Sequence, residues 1–141
     1  MVDTANGTAG GRTQNQRAGD AAEDLVAALL TARGWTVLAR KVHAGRSELD
    51  IVAIDPGPPA RLVVVEVRWR RSREFGRAEE TFDARKRAHL VVGMGRLLEA
   101  GHLPGGAELP RLPIALDLAV VEPRAEGGRP SVRLYRNALE G

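Results

Sequence analysis

A chain of 141 residues, 43% of them hydrophobic and with a formal charge of +3, suits one compact domain with a core of its own. The absence of cysteine excludes disulfides and thiolate metal sites, so a metal would be held by oxygen or by the three histidines, an inventory that suits Mg2+ or Mn2+. The N-terminal segment lacks an apolar core, and no uncharged apolar run approaches the ~20 residues that span a bilayer, so a soluble, cytoplasmic protein with no membrane partner is expected.

Residues 1–15 are polar and Gly-rich without hydrophobic periodicity, which predicts a disordered arm ahead of a single domain over 16–141. From about Gln16 to Arg33, Ala18, Ala22, Leu25, Leu29 and Ala32 recur at helical spacing, with Asp20, Glu23 and Asp24 placed near the helix's positive pole and Gly34 as a stop. Trp35 to Arg40 reads as a strand, and residues 42–47 as a turn into a second strand holding Glu48 and Asp50. Strict alternation puts Glu48, Asp50 and Val52 on one face and Leu49, Ile51 and Ala53 on the other. The turn Asp55-Pro56-Gly57-Pro58-Pro59 leads to a third strand, in which Val64, Glu66 and Arg68 share a face.

A loop over 71–77 precedes a second helix, about Glu79 to Ala100, with Phe82, Leu90, Met94, Leu97 and Leu98 as its apolar side and Gly93 and Gly95 weakening its middle. A Gly/Pro-rich connection to Pro113, a fourth strand over 114–121, a turn around Gly127-Gly128 and a fifth strand over 131–136 complete the chain. The order predicts an α/β fold: a helix, a three-strand antiparallel meander, a helix, then further strands in a mixed sheet.

Asp50 and Glu66 lie sixteen residues apart on adjacent strands of this meander, where they can face each other across one ladder. Glu66 follows four apolar residues, Leu62 to Val65, and an ionised acid in such a run needs a partner or a metal. Of the 21 basic residues 19 are arginine, whose fork suits phosphate. Arg68, Arg70, Arg71, Arg73 and Arg77 follow the second acid, and Arg85, Lys86 and Arg87 form another cluster, the charge layout expected where a polyanion is held near a metal. The bland reading pairs the acids with arginines at a sheet edge and leaves the cations solvated.

The order of elements, with Asp on the second strand and Glu-x-Lys/Arg on the third, resembles the PD-(D/E)XK, restriction-endonuclease-like nuclease superfamily. More closely, the chain is similar to the YraN family of small bacterial proteins, themselves similar to archaeal Holliday junction resolvases. The matching stretches are Gly19 to Glu23, Ser47 to Val52, Val64 to Arg68, Lys86 to Leu90, Leu116 to Leu118 and Tyr135 to Leu139.

The resemblance implies a metal-dependent endonuclease acting on DNA, with branched DNA and a homodimer, one site per strand, as further expectations. It implies that Asp50, Glu66 and the backbone carbonyl of Val67 hold Mg2+ or Mn2+, and that Glu23 supplies a further carboxylate; without it, Glu23 reads as an acid at a helix N-terminus. Glu48 reaches the same metal, binds a second one or orients a water, or else is an exposed turn acid. Arg68 stands where the family has lysine, and an arginine, which stays protonated, does not deprotonate water, though it can hold a phosphate oxygen. Three outcomes stay open: a mechanism needing no lysine, a lysine from elsewhere, with Lys86 the better candidate and Lys41 read as a surface residue, or a non-catalytic nucleic-acid-binding protein. Asp117 is expected to anchor Arg136 or Asn137, and the histidines to lie at the surface.

Overall fold

A computed structural model describes residues 13–70, 84–124 and 126–139. Helix α1 spans Gln14–Ala32 and starts earlier than its apolar periodicity suggests, because Thr13 forms a capping box: its hydroxyl accepts the Gln16 backbone N–H at 3.1 Å and the Gln16 side chain accepts the Thr13 N–H at 2.8 Å. Residues 1–12 of the expected arm lie outside the described residues, while Gln14 belongs to the helix. The earlier start also corrects the reading of the acids. No acidic residue occupies the first turn, so Asp20, Glu23 and Asp24 are not there to complement the helix dipole. At the other end Gly34 takes φ +89°, and the Trp35 N–H reaches back to the Leu30 carbonyl at 3.0 Å, closing the helix in a Schellman arrangement.

Strand β1 (Thr36–Ala44) continues past Arg40, placing His43 in the strand, and a tight two-residue turn at Gly45-Arg46 leads to β2 (Ser47–Asp55). After the next turn, in which Asp55 accepts the Gly57 N–H at 2.9 Å, β3 (Arg61–Trp69) completes the antiparallel meander. Helix α2 (Ala84–Ala100) then carries the chain across to β4 (Ile114–Glu122), which pairs with β3 in parallel, and β5 (Ser131–Tyr135) returns antiparallel. The sheet order is β1-β2-β3-β4-β5, the mixed sheet of a restriction-endonuclease-like core.

Each helix covers one face of the sheet. Under α1 lie Ala22, Val26 and Leu30 with Ile51, Ala53, Val63 and Val65; the buried stripe is Ala22-Val26-Leu30, while Leu25 and Leu29 are only partly buried. Under α2, Leu90, Met94 and Leu97 pack on Leu49, Val52, Leu62, Val64 and Leu116. Full burial of such side chains contributes ~1.5–3 kcal/mol apiece, which fixes both helices against the sheet. Leu98, expected on the apolar side, is exposed, and Phe82 lies outside the described residues. Gly93 has a use its helix propensity conceals: a Cβ there would come within 2.7 Å of the Ser47 Cβ. Glycine lets α2 lie against the start of β2, where the Ser47 hydroxyl donates to the His89 carbonyl at 2.9 Å. Among the described residues no helix is long and apolar enough to cross a membrane.

Candidate metal and nucleic-acid site

The β2–β3 register runs from Asp55↔Arg61 to Ile51↔Val65. The next step brings Asp50 beside Glu66, and there a side chain takes over from the ladder: Asp50 Oδ2 accepts the Val67 backbone N–H at 2.9 Å. Burial, then the charge and hydrogen bonding of Glu66, push the Asp50 carboxyl up to about 7 against the lowering effect of the Val67 N–H; Glu48 adds to the rise. Glu66 is only 4% exposed. Its Oε2 lies 3.4 Å from Lys86 Nζ and 3.9 Å from Arg68 Nε, so β3 supplies the acid and an arginine while α2 supplies a lysine.

Strict alternation fails at Asp50. Leu49 and Val52 pack under α2, whereas Ile51 and Ala53 pack under α1. On the neighbouring strand Lys41 takes φ +51°, and the β1–β2 ladder pairs Arg40 with Ile51 and Val42 with Leu49, stepping over Lys41 and Asp50. A left-handed residue turns the strand, so consecutive side chains leave on the same side. Arg40 and Lys41 accordingly both reach α1: Arg40 Nε donates to Glu23 Oε1 at 3.0 Å and Arg40 Nη2 to Asp24 at 2.6 Å, while Lys41 Nζ donates to Glu23 Oε2 at 3.1 Å and to Asp20 at 2.9 Å.

A cleft of ≈ 380 Å³ opens between α1 and the ends of β1, β2 and β3, with Asp20, Glu23, Lys41, Glu48, Asp50 and Val67 on its walls. Glu48 is exposed and has His43 Nε2 at 3.5 Å, so it is both a rim acid and a neighbour of Asp50. Sequence reasoning underrated Lys41, and the signal available was that a chain with 19 arginines keeps lysine at only two positions, both now found at this site.

The expected basic rim divides. Arg71, Arg73 and Arg77 lie outside the described residues. Arg70 is turned inward, its side chain 11% exposed and 3.3 Å from the buried Glu122. On the first turn of α2, Arg85 is exposed and Lys86 and Arg87 are half-buried. The Nε atoms of Arg68 and Arg87 are buried with no hydrogen-bond partner among the described residues. Asp117 is structural, as expected: fully buried, it accepts Arg136 Nε at 2.6 Å and the Asn137 N–H at 3.0 Å. Trp69 and Tyr135 pack against the two core clusters.

Among the described residues no three His, Asp or Glu side chains converge as a ready-made metal cluster. The narrower donor set of Asp50, Glu66 and the Val67 carbonyl still fits a hard divalent ion that keeps several waters. The chemistry of the donors carries that fit: two carboxylates and a backbone carbonyl, gathered where the β2–β3 ladder ends, are all hard oxygen ligands.

The model of a protein family whose members are small and uncharacterised matches residues 22–121, from the buried face of α1 through β4. The chain belongs to uncharacterised protein family UPF0102. This is the YraN family that its motifs resemble. A UPF0102 protein of Symbiobacterium thermophilum is 37% identical over 125 residues, covering 89% of this chain and 98% of the relative. One from Sorangium cellulosum is 43% identical over 99 residues, 69% of this chain and 67% of its own length. A UPF0102 protein of Pseudomonas aeruginosa is 31% identical over 129 residues, 92% and 97% of the two chains. The UPF0102 match takes in Glu23, Lys41, Asp50, Glu66 and Lys86 together.

Proposed function

We propose that this UPF0102 protein is a divalent-metal-dependent nuclease that hydrolyses phosphodiester bonds in DNA. The observation that supports this reading best is the placement of Asp50 beside Glu66 at the open end of the β2–β3 ladder, with Lys86 Nζ 3.4 Å from Glu66. Asp50, Glu66 and the Val67 carbonyl would hold Mg2+ or Mn2+. When bound, the ion would supply Lewis-acid charge at the scissile phosphate.

The chain's own residues have separate work. Lys86, carried to Glu66 by α2, takes the role of the lysine that β3 lacks, orienting the attacking water beside the acid pair. Arg68 is not a base. Its guanidinium, 30% exposed at the side chain beside Glu66, would offer a fork to a phosphate oxygen, and Arg85 and Arg87, carried by α2 next to Lys86, would extend the positive surface along a polyanion. Arg68 in the lysine position also favours a second reading, binding without cleavage.

One experiment separates the two. The purified chain is incubated with Mn2+ and labelled linear, flap and four-way-junction DNA, alongside Asp50→Ala and Glu66→Ala. The nuclease reading expects cleavage by the native chain that both substitutions abolish. Retention of the DNA in a mobility-shift assay with no cleavage selects the binding reading, and cleavage undiminished in both variants defeats the proposed site.

A further inference from the structure

The cleft holds more carboxylates than one ion needs. Asp50, beside Glu66, forms one group, and Asp20 and Glu23 form another across the same space. Carboxylates gathered on one cleft need cations to balance them. Here the second group already contains a cation. Lys41 Nζ donates to Asp20 at 2.9 Å and to Glu23 at 3.1 Å, and Arg40 takes the other oxygen of Glu23 at 3.0 Å, so both oxygens of this 4%-exposed carboxylate are engaged.

We propose that the Lys41 ammonium is a built-in cation that takes the place of a second metal and limits the site to a single divalent ion. The inference rests on the Asp50–Glu66 metal reading and adds to it the count of ions and the role of Glu23. Three features carry it. The ammonium is a compact point charge held between two carboxylates, 2.9 Å from Asp20 and 3.1 Å from Glu23, as an ion would be. Lys41 holds φ +51°, a conformation that long side chains rarely adopt, and this turn in the strand is what aims its side chain at α1. The cation is also part of the cleft wall, not an outer support, since Lys41 lines the same space as Asp50 and Val67. Glu23 is thus a positioning residue, committed to cations from the protein.

The test counts bound Mn2+, by calorimetry and by the electron paramagnetic resonance signal of the free ion, in the native chain, Lys41→Asn, Lys41→Arg and Glu66→Ala. Asparagine tolerates a positive φ, so Lys41→Asn removes the charge without opposing the backbone. One ion is expected for the native chain and for Lys41→Arg, two for Lys41→Asn, and loss of the native ion in Glu66→Ala. Two ions in the native chain, or one in a normally melting Lys41→Asn, overturns the inference and leaves the Asp50–Glu66 site standing. No uptake by the native chain, or uptake unaffected by Glu66→Ala, removes that site and the inference with it. Should Lys41→Asn not fold, Glu23→Gln decides: metal affinity is expected to hold, and a fall of about 10-fold or more, the effect of losing an outer-sphere carboxylate, overturns the proposal.

Discussion

Asp50 Oδ2 accepts the backbone N–H of Val67 at 2.9 Å, so a side chain on β2 completes the hydrogen bonding of β3 at the point where their ladder ends. The same carboxylate faces Glu66 and is pushed up to about 7. These two facts pull in opposite directions when Asp50 is changed. Asp50→Ala deletes the acceptor and leaves a part-buried N–H unsatisfied, and is expected to cost about 1–3 kcal/mol in urea unfolding. Asp50→Asn keeps an acceptor and removes the repulsion with Glu66, and is expected to be more stable than the native chain at neutral pH without metal.

The pH dependence follows from the same carboxyl. With a folded value of about 7 against an ordinary 3.8, the unfolded chain loses this proton first. The folded state binds more protons between those values, so Asp50 lowers stability progressively as pH rises through that window. Melting temperatures of native and Asp50→Asn protein, measured without metal from pH 4 to 8, are expected to diverge with rising pH in favour of the variant. Mn2+ competes with the same proton, so its stabilising effect on the native chain is expected to grow up to about pH 7 and then level off.

Lys86 and Arg68 flank Glu66 at 3.4 and 3.9 Å but are assigned different work. Lys86→Ala is expected to reduce kcat by about 10²-fold or more, the scale of a lost group acting on water at the reacting centre. Arg68→Ala is expected to act mainly on KM, because it would remove the proposed phosphate contact. Single-turnover kinetics with Mn2+ and the cleaved DNA substrate distinguish the two patterns.

Asp117 is 0% exposed and joined to Arg136 and Asn137 beyond β5. Removing the Asp117 carboxylate leaves the Asn137 N–H without its acceptor, while Arg136, 38% exposed at the side chain, keeps Asp55 as a partner. Asp117→Ala is therefore expected to cost about 1–3 kcal/mol in denaturant unfolding, the scale of a buried donor left unsatisfied, with metal uptake retained in the protein that remains folded.

The two glycines of α2 are expected to respond in opposite ways. A methyl group added at Gly95 would meet nothing within 4 Å, so alanine there gains helix propensity and is expected to stabilise by about 0.5–1 kcal/mol. At Gly93 the methyl would meet the Ser47 Cβ at 2.7 Å, and the shift it forces outweighs the propensity gain, for a net loss of about 1–2 kcal/mol. Thermal melts of both variants check the pair.

The elements were legible because their signals are local: the Gly34 stop, the Asp55-Pro56-Gly57 turn and the apolar runs of β3 and β4 each fix a boundary or a strand without distant help. The pairing of Asp50 with Glu66 was legible for the same reason, since short links leave a meander little choice of register. The misreadings arose where geometry departs from its period. Alternation assigned Val52 to the face of Asp50 and Ile51 to the other, and a left-handed Lys41, invisible to a period-two rule, undid that assignment. Glu23 resembled a helix-terminus acid because the capping box at Thr13 and Gln16 was not recognised. Arg70 looked like part of a nucleic-acid surface because its partner, Glu122, is on a strand that sequence order places far away.

The two helices lie on opposite faces of the sheet, yet both reach its open end, α1 with Glu23 and α2 with Lys86. No contiguous stretch of the chain holds the whole constellation, and neither helix can present its residue until it has docked on strands that themselves pair across the length of the domain. Assembly of the site is therefore a readout of complete folding. On the proposed nuclease reading, a partly folded chain that bound a metal at Asp50 and Glu66 alone would lack the lysine from α2, and cleavage would await completion of the fold.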